Sequence, residues 1–432
     1  MGLRRSPDPR RPVPARGAPM PVVPLRPWRN AVFVAFAACG FAFANWVARI
    51  PAVRDSLHLS TQDMGLVLLS LSGGSVIGLT AADAVTQKLG PRRTIRFTMV
   101  LAGVALVVVG LGASAFPAVP LICVGLAAFG MGYGACDVAM NVQGALVERE
   151  VGKTIMPLLH ATFSLGTLAG AGLGALASAA GVPVAVHLGI VGVLAGASVV
   201  VTGRHFPQQL PGGGQSAQDG PRGLGARLAA WGSVWADRRI LLIGVVMLGM
   251  SFAEGSANDW ISLGSVDGHG FDNTGGALAY AAFVAFMTVG RLLGGPALDR
   301  WGRVPVVRCT GLLAAIGLAL FIFTSWPPAV IVGAALWGVG ASLGFPVGMS
   351  AAADDPERAS ARVGAVATMG YAAFLVGPPL LGLLGQHFGI LHALLAVLAL
   401  IAAACVAAPA VAPPKPGPAA RSSRDGSAVR SG

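Results

Sequence analysis

Charge is what this chain has least of: only 11% of its 432 residues are Asp, Glu, Lys or Arg, against about 25% in a soluble domain. Cysteine is sparse as well. Cys39, Cys123, Cys136, Cys309 and Cys405 share no metal-ligand spacing and read as small apolar packing residues, so no metal site is expected. No nucleotide-binding loop or nucleophile constellation is present, which speaks against an enzyme, and no cofactor is implied.

Apolar sequence is what the chain has in excess, at 54%. It is not interleaved with charge at helical or strand spacing. Four long blocks, Phe97–Cys136, Thr154–Gly203, Cys309–Ala353 and Val363–Pro414, contain no charged residue at all. A membrane helix needs about 20 apolar residues, so each block holds two spans. Turn formers break each block near its middle, at Ser114 to Pro117, Gly181 to Pro183, Pro327–Pro328 and His387 to Gly389. Four single spans, Asn30–Ile50, Gln62–Ala82, Ile240–Trp260 and Gly275–Leu298, complete a set of twelve. Backbone polar groups in lipid must be satisfied within the segment, so the spans are helices, and alternation of the barrel type is lacking. The expectation is an all-α membrane protein of twelve transmembrane helices in two six-helix bundles.

The net charge of +12 is a matter of topology. With both termini inside, cytoplasmic segments hold 27 of the 30 Lys and Arg residues; the outer loops hold Arg49 and Arg54, and Arg291 lies within the eighth span. Nucleic-acid binding is therefore not expected, and the partner surface is the lipid bilayer. Residues 1–29 are rich in Arg and Pro and are expected to be a disordered cytoplasmic tail. Their twin arginines resemble an export signal, but the apolar stretch that follows is long and lacks a small-residue cleavage site, so a retained first helix is expected. The N-terminal bundle is placed at 30–203, a flexible cytoplasmic linker at 204–239, the C-terminal bundle at 240–409 and a disordered tail at 410–432.

The chain repeats itself. Ala44-Asn45-Trp46 in the first span matches Ala257-Asn258-Asp259-Trp260 in the seventh, with the tryptophans 214 apart. The loop glycines Gly90 and Gly302 are 212 apart, and Gly170 and Gly377 are 207 apart. Matches at nearly one offset, in the order of the spans, indicate a duplicated six-helix unit. Six is even, so both copies enter the membrane in the same sense and can rock about a site at the midplane.

Gly295-Pro296-Ala297-Leu298-Asp299-Arg300-Trp301-Gly302-Arg303 resembles the Gly-x-x-x-Asp-Arg-x-Gly-Arg signature of the major facilitator superfamily at every fixed position. Gly295 is suited to close helix approach and Gly302 to a tight turn, and Asp299 can pair with arginines or face a helix N-terminus. The resemblance implies a latch between the halves, with Gly295, Asp299, Arg300, Gly302 and Arg303 as its parts. The first-half copy is degraded: Asp83, Gln87, Lys88 and Pro91 replace its Gly, Asp and Arg pair.

Polar residues within spans are costly and usually functional. Three helices carry a pair at i, i+4, hence on one face: Asn45/Arg49, Asp137/Asn141 and Glu254/Asn258. The superfamily resemblance implies that these helices line a central cavity. Asp259, Trp260 and His160 are further candidates for binding solute or protons, with Trp337 and Tyr371 as stacking partners. Structural roles stay open: an interfacial anchor for Arg49, a cap for His160, packing for the aromatics, and a buried hydrogen bond for Asp137 or Glu254. The run Gly130 to Asn141 is similar to the fourth helix of the fucose–proton symporter family, although the first helix here holds no carboxylate. That similarity implies a proton-coupled porter, monomeric, for a small polar solute such as a sugar, in the cytoplasmic membrane of a bacterium. A drug–proton exporter and a transporter-like sensor are the alternatives; the exporter's Gly-Pro pair is missing from the fifth span, where Ala171 follows Gly170, and occurs as Gly377-Pro378 in the eleventh.

Overall fold

The computed structural model describes residues 24–152, 155–208, 236–355 and 359–413, so the expectations for 1–23, 209–235 and 414–432 lie outside the described residues. Among these, twelve helices are long and apolar enough to cross a membrane. They are α1 Leu25–Leu57, α2 Thr61–Leu89, α3 Pro91–Ser114, α4 Val119–Val151, α5 Met156–Ala179, α6 Val184–Thr202, α7 Arg238–His269, α8 Asn273–Trp301, α9 Arg303–Phe323, α10 Pro327–Ala352, α11 Ala359–Phe388 and α12 Ile390–Val411. Large apolar side chains stand exposed around the bundle, Leu176 by 69% and Val406 by 81%. Surface of that kind suits lipid and not water.

The turn formers act as the sequence suggests. Pro91 and Pro327 open α3 and α10 in their first turn, where no intrahelical partner for the missing N–H is needed. Ser60 caps α2 by accepting from Asp63 N at 3.1 Å, and Asp272 caps α8 by accepting from Gly275 N at 2.7 Å, at corresponding places in the two halves. Gly90 and Gly302 both take φ of 77°, a left-handed value that a side chain would strain, so the two copies turn alike despite their divergent residues.

Helix ends run past the expected boundaries. Residues 25–29 are helical, not a disordered tail, because Trp28 is buried and donates Nε1–H to Gln143 Oε1 at 3.0 Å. Similarly, Arg238 and Arg239 begin α7 inside the stretch expected as linker, capped by Asp237. Three spans are broken: α1 at Ala48–Arg49, before Pro51, α10 at Ser342–Leu343, before Pro346, and α12 at Leu394.

Within each half, small residues let backbones touch. A Cβ added to Gly74 or Gly78 of α2 would strike the backbone of α4, and one added to Gly130 or Gly134 would strike α2. Gly338 of α10 meets the backbone of α8 at Phe283 in the same way. We call the end where α1 begins and α12 finishes the terminal end, and its opposite the far end. The halves join at the far end. Gly65 of α2 packs on Pro378 and Gly382 of α11, and Ala48, Ala175 and Ala277 cluster between α1, α5 and α8. Arg54 at the close of α1 ion-pairs with Asp267 of α7, and Asn273 of α8 donates to Asp55 at 3.3 Å. At the terminal end Asp83, Lys88, Asp299 and Arg300 are exposed.

Candidate functional site

Helix α4 presents Phe129, Tyr133, Asp137 and Asn141 at intervals of four residues, a single stripe along the helix. Tyr133 stacks on Phe43 of α1 with centroids 5.4 Å apart, which fixes the stripe against the first helix. Asn141 Nδ2 donates to its own helix at Asp137 O (2.9 Å) and more weakly to Asp137 Oδ1 (3.3 Å). Asp137 is half-buried, and no cation pairs with it among the described residues.

Across the interface Glu254 of α7 is not alone. Arg291 of α8 donates Nη2–H to Glu254 Oε1 at 2.8 Å, with side chains 29% and 17% exposed. Arg291 is thus the cation of the site, and it is missing from the candidates that the sequence suggests. Its signal was legible, since it is the one Arg placed well inside an expected span. His160 of α5 is exposed, meets Phe36 edge-on at 5.3 Å, and stands within electrostatic reach of Arg291. Asn258 and Asp259 are half-buried toward the far end, without a hydrogen-bond partner among the described residues. The buried hydroxyl of Tyr280 of α8 has no hydrogen-bond partner among the described residues. Asp137 and Asn141 thus form one polar group in the first half, and Glu254 with Arg291, Asn258 and Asp259 stand in the second; no hydrogen bond or ion pair joins the two groups among the described residues.

The Asn45/Arg49 pair lies elsewhere. Asn45 is fully buried, donates to Phe41 O at 2.8 Å, and its Oδ1 meets His187 Nε2 of α6 at 2.8 Å. Arg49 donates Nη2–H to Val182 O, in the turn between α5 and α6, at 2.7 Å. Both hold α1 to α6 within their own half, which corrects the expectation that this face lines the cavity. The expected helical register is interrupted at Arg49, where the helix breaks, and the two side chains point sideways into the bundle. Trp260 and Trp337 are also fully buried, Trp337 packing edge-on against Phe283 at 5.7 Å. They belong to the core and not to a stacking surface.

The latch motif is only partly used as expected. Gly295 has nothing within 4 Å of an added Cβ, whereas its neighbour Gly294 packs on Leu343. Asp299 is exposed and pairs with no arginine among the described residues. Arg303 binds Asp354 instead, at 2.8 and 3.0 Å, and Ser350 at 2.8 Å. Arg239 joins the same carboxylate at 2.7 Å, so Asp354 ties α7, α9 and α10 together at the terminal end. Arg300 lies over the ring of Trp301, 5.6 Å from its centroid. In the first half Arg92 donates to Phe206 O at 2.7 Å, which ties the start of α3 to the chain after α6.

The family model described as Major Facilitator Superfamily matches residues 31–287 and 262–431. The uncharacterized transporter y4wD of Sinorhizobium fredii is 31% identical over 385 residues, covering 87% of this chain and 98% of that protein. Among solved structures, the nucleoside transporter NupG superposes with a TM-score of 0.65 at 15% identity, covering 90% of this chain and 98% of that one. A variant of the fucose:proton symporter FucP of E. coli superposes with a TM-score of 0.61 at 14% identity, covering 90% and 99%.

Proposed function

The chain belongs to the Major Facilitator Superfamily, and on that premise we propose that it carries a small polar solute, such as a sugar, across the bacterial cytoplasmic membrane together with a proton. The observation that carries this reading is the contrast between the two acids. Glu254 has its charge matched by Arg291 at 2.8 Å, while Asp137 has only the amide of Asn141. An unmatched carboxylate between membrane helices is costly, and a proton is the charge available to neutralise it. Asp137 is thus the coupling residue. Asn141, Asn258 and Arg291 supply donors for solute hydroxyls, and the exposed Tyr371 supplies a ring face at which a sugar can stack.

The terminal end faces the cytoplasm, because 14 of the 17 described Lys and Arg residues lie in the helix ends and turns there. The far-end contacts then close the periplasmic side, and the latch residues stand apart on the cytoplasmic side, as in an inward-facing carrier. Solute entering from outside requires those far-end contacts to part, which is the rocking that a parallel repeat allows.

The test begins with a thermal-shift screen of the purified protein against L-fucose, D-xylose and uridine, since a solute that binds the native state raises its melting temperature. In vesicles, Asp137→Asn is expected to keep solute counterflow and to lose accumulation driven by a pH gradient. Accumulation equal to the parent's from mildly acidic to mildly alkaline pH would overturn the proton role.

A further inference from the structure

Soft sulfur donors are few in this chain, five cysteines and twelve methionines, yet three of them meet at one place. Cys39 Sγ of α1 lies 3.7 Å from Cys136 Sγ of α4 and 3.9 Å from Met99 Sδ of α3. These partners stand 97 and 60 residues from Cys39 in the chain, so no spacing motif announces the cluster. All three side chains are buried, Met99 at 1% exposure and both cysteines at 0%. Backbone packing holds the helices around them. A Cβ added to Gly132 of α4, one turn before Cys136, would stand 2.5 Å from Thr98 O, next to Met99 on α3.

A lone buried cysteine packs as a small hydrophobe. Here one thiol touches both a second thiol and a thioether, and the weak hydrogen bonds of sulfur give that arrangement little support. The distances fit a metal ion. An ion about 2.3 Å from each sulfur would hold Cys39 and Cys136 about 107° apart and Cys39 and Met99 about 116° apart, close to the tetrahedral and trigonal angles. The donors select the ion: thiolate and thioether suit soft monovalent Cu+ or Ag+, whereas zinc takes thiolate, imidazole or carboxylate. Among the described residues no three of His, Cys, Asp or Glu could hold a metal, so the thioether is what completes this set.

We propose that Cys39, Cys136 and Met99 form a binding site for one soft monovalent metal ion, Cu+ or Ag+, inside the N-terminal bundle. On binding, the S–H bond of Cys39 breaks, its proton leaves to water, and a sulfur–metal bond takes its place. Cys136 and Met99 each add a lone pair and lose nothing. No electron is transferred, and the charge of the buried site stays at zero, which avoids the cost of an unpaired charge. Asp137 follows Cys136 on α4 and is half-buried, so the side from which the ion enters carries a carboxylate that attracts it. The loaded site ties α1, α3 and α4 together, and it stands apart from the proton-coupled reading above.

The full chain with Cys123→Ala, Cys309→Ala and Cys405→Ala keeps Cys39 and Cys136 as its only thiols. Purified in chloride-free buffer, it is titrated with silver nitrate; equilibrium dialysis counts the bound silver and X-ray absorption identifies its neighbours. One ion per chain with three sulfur neighbours is expected, together with a rise in melting temperature on loading. Met99→Leu keeps the apolar volume and is expected to weaken binding about tenfold, and Cys39→Ser about a hundredfold. Without silver, both variants should melt close to the triple-alanine parent. Less than one tightly bound silver ion in that parent, or an affinity that both substitutions leave unchanged, overturns the site. Zinc bound as tightly as silver overturns the assignment to a soft monovalent ion.

Discussion

The ion pair between Arg54 and Asp267 joins the two halves only while the far end is closed, so its removal should move the balance between conformations by a calculable amount. Its side chains are 18% and 24% exposed, between a surface pair and a buried one. Exposed pairs contribute about 0.2–1 kcal/mol, and breaking a fully buried pair costs about 3–5 kcal/mol because one charge is stranded. Arg54 would not be stranded by Asp267→Asn, since it also holds Asp55 at 2.7 Å. The loss is therefore set near the lower range, at about 1.4 kcal/mol, and the far-end-open population rises about tenfold. Spin labels at Gln62→Cys and Gln386→Cys, both exposed at the far end on opposite halves, report that population by their distance distribution. The five native cysteines are first replaced. Charge reversal, Arg54→Asp with Asp267→Arg, should restore the closed distance, and high salt should act on the parent in the direction of the variant, more weakly. A distance distribution that Asp267→Asn leaves untouched would refute the reasoning, because the pair would then be absent or equally present in both states.

The other charge pairs give two more expected outcomes. Glu254→Gln strands Arg291 between helices and should lower stability by about 1–3 kcal/mol, while Glu254→Gln with Arg291→Gln regains most of the loss; additive single effects in urea or thermal denaturation would argue against the pair. Asp354→Asn, which withdraws the partner of both Arg239 and Arg303, should cost about 1–3 kcal/mol, whereas Asp299→Asn should stay within about 0.5 kcal/mol; the reverse order of melting temperatures would return the latch role to Asp299.

Much of the fold was legible because its determinants are local. Length and apolarity of a segment decide whether it can cross lipid, and Pro91, Gly181, Pro327 and Gly389 mark turns through backbone geometry that each residue carries with it. The duplication was legible for the same reason: Gly90 and Gly302 both supply a left-handed turn whatever stands around them. Asn141 donates to Asp137 one turn away along α4, as spacing on a helix allows, whereas the break in α1 interrupts that register at Arg49.

The direction in which each face points was decided by packing. Asn45 and Arg49 meet His187 and Val182 of their own half, while the equally spaced Asn141 and Asp137 are joined by hydrogen bonds along their own helix. Nothing in a helix's own sequence sets its rotation about its axis; the neighbours that fill its grooves do. Partners far apart in the chain were hidden likewise. Arg291 stands 37 residues from Glu254, and Arg303 stands 51 from Asp354. The sequence by itself determined twelve helices of membrane-crossing length and a duplicated order of spans. Only the tertiary structure decided which acid keeps a cation and which is left without one, because a charge pair depends on distance in space, and spacing along a helix reaches no further than its own neighbouring turns.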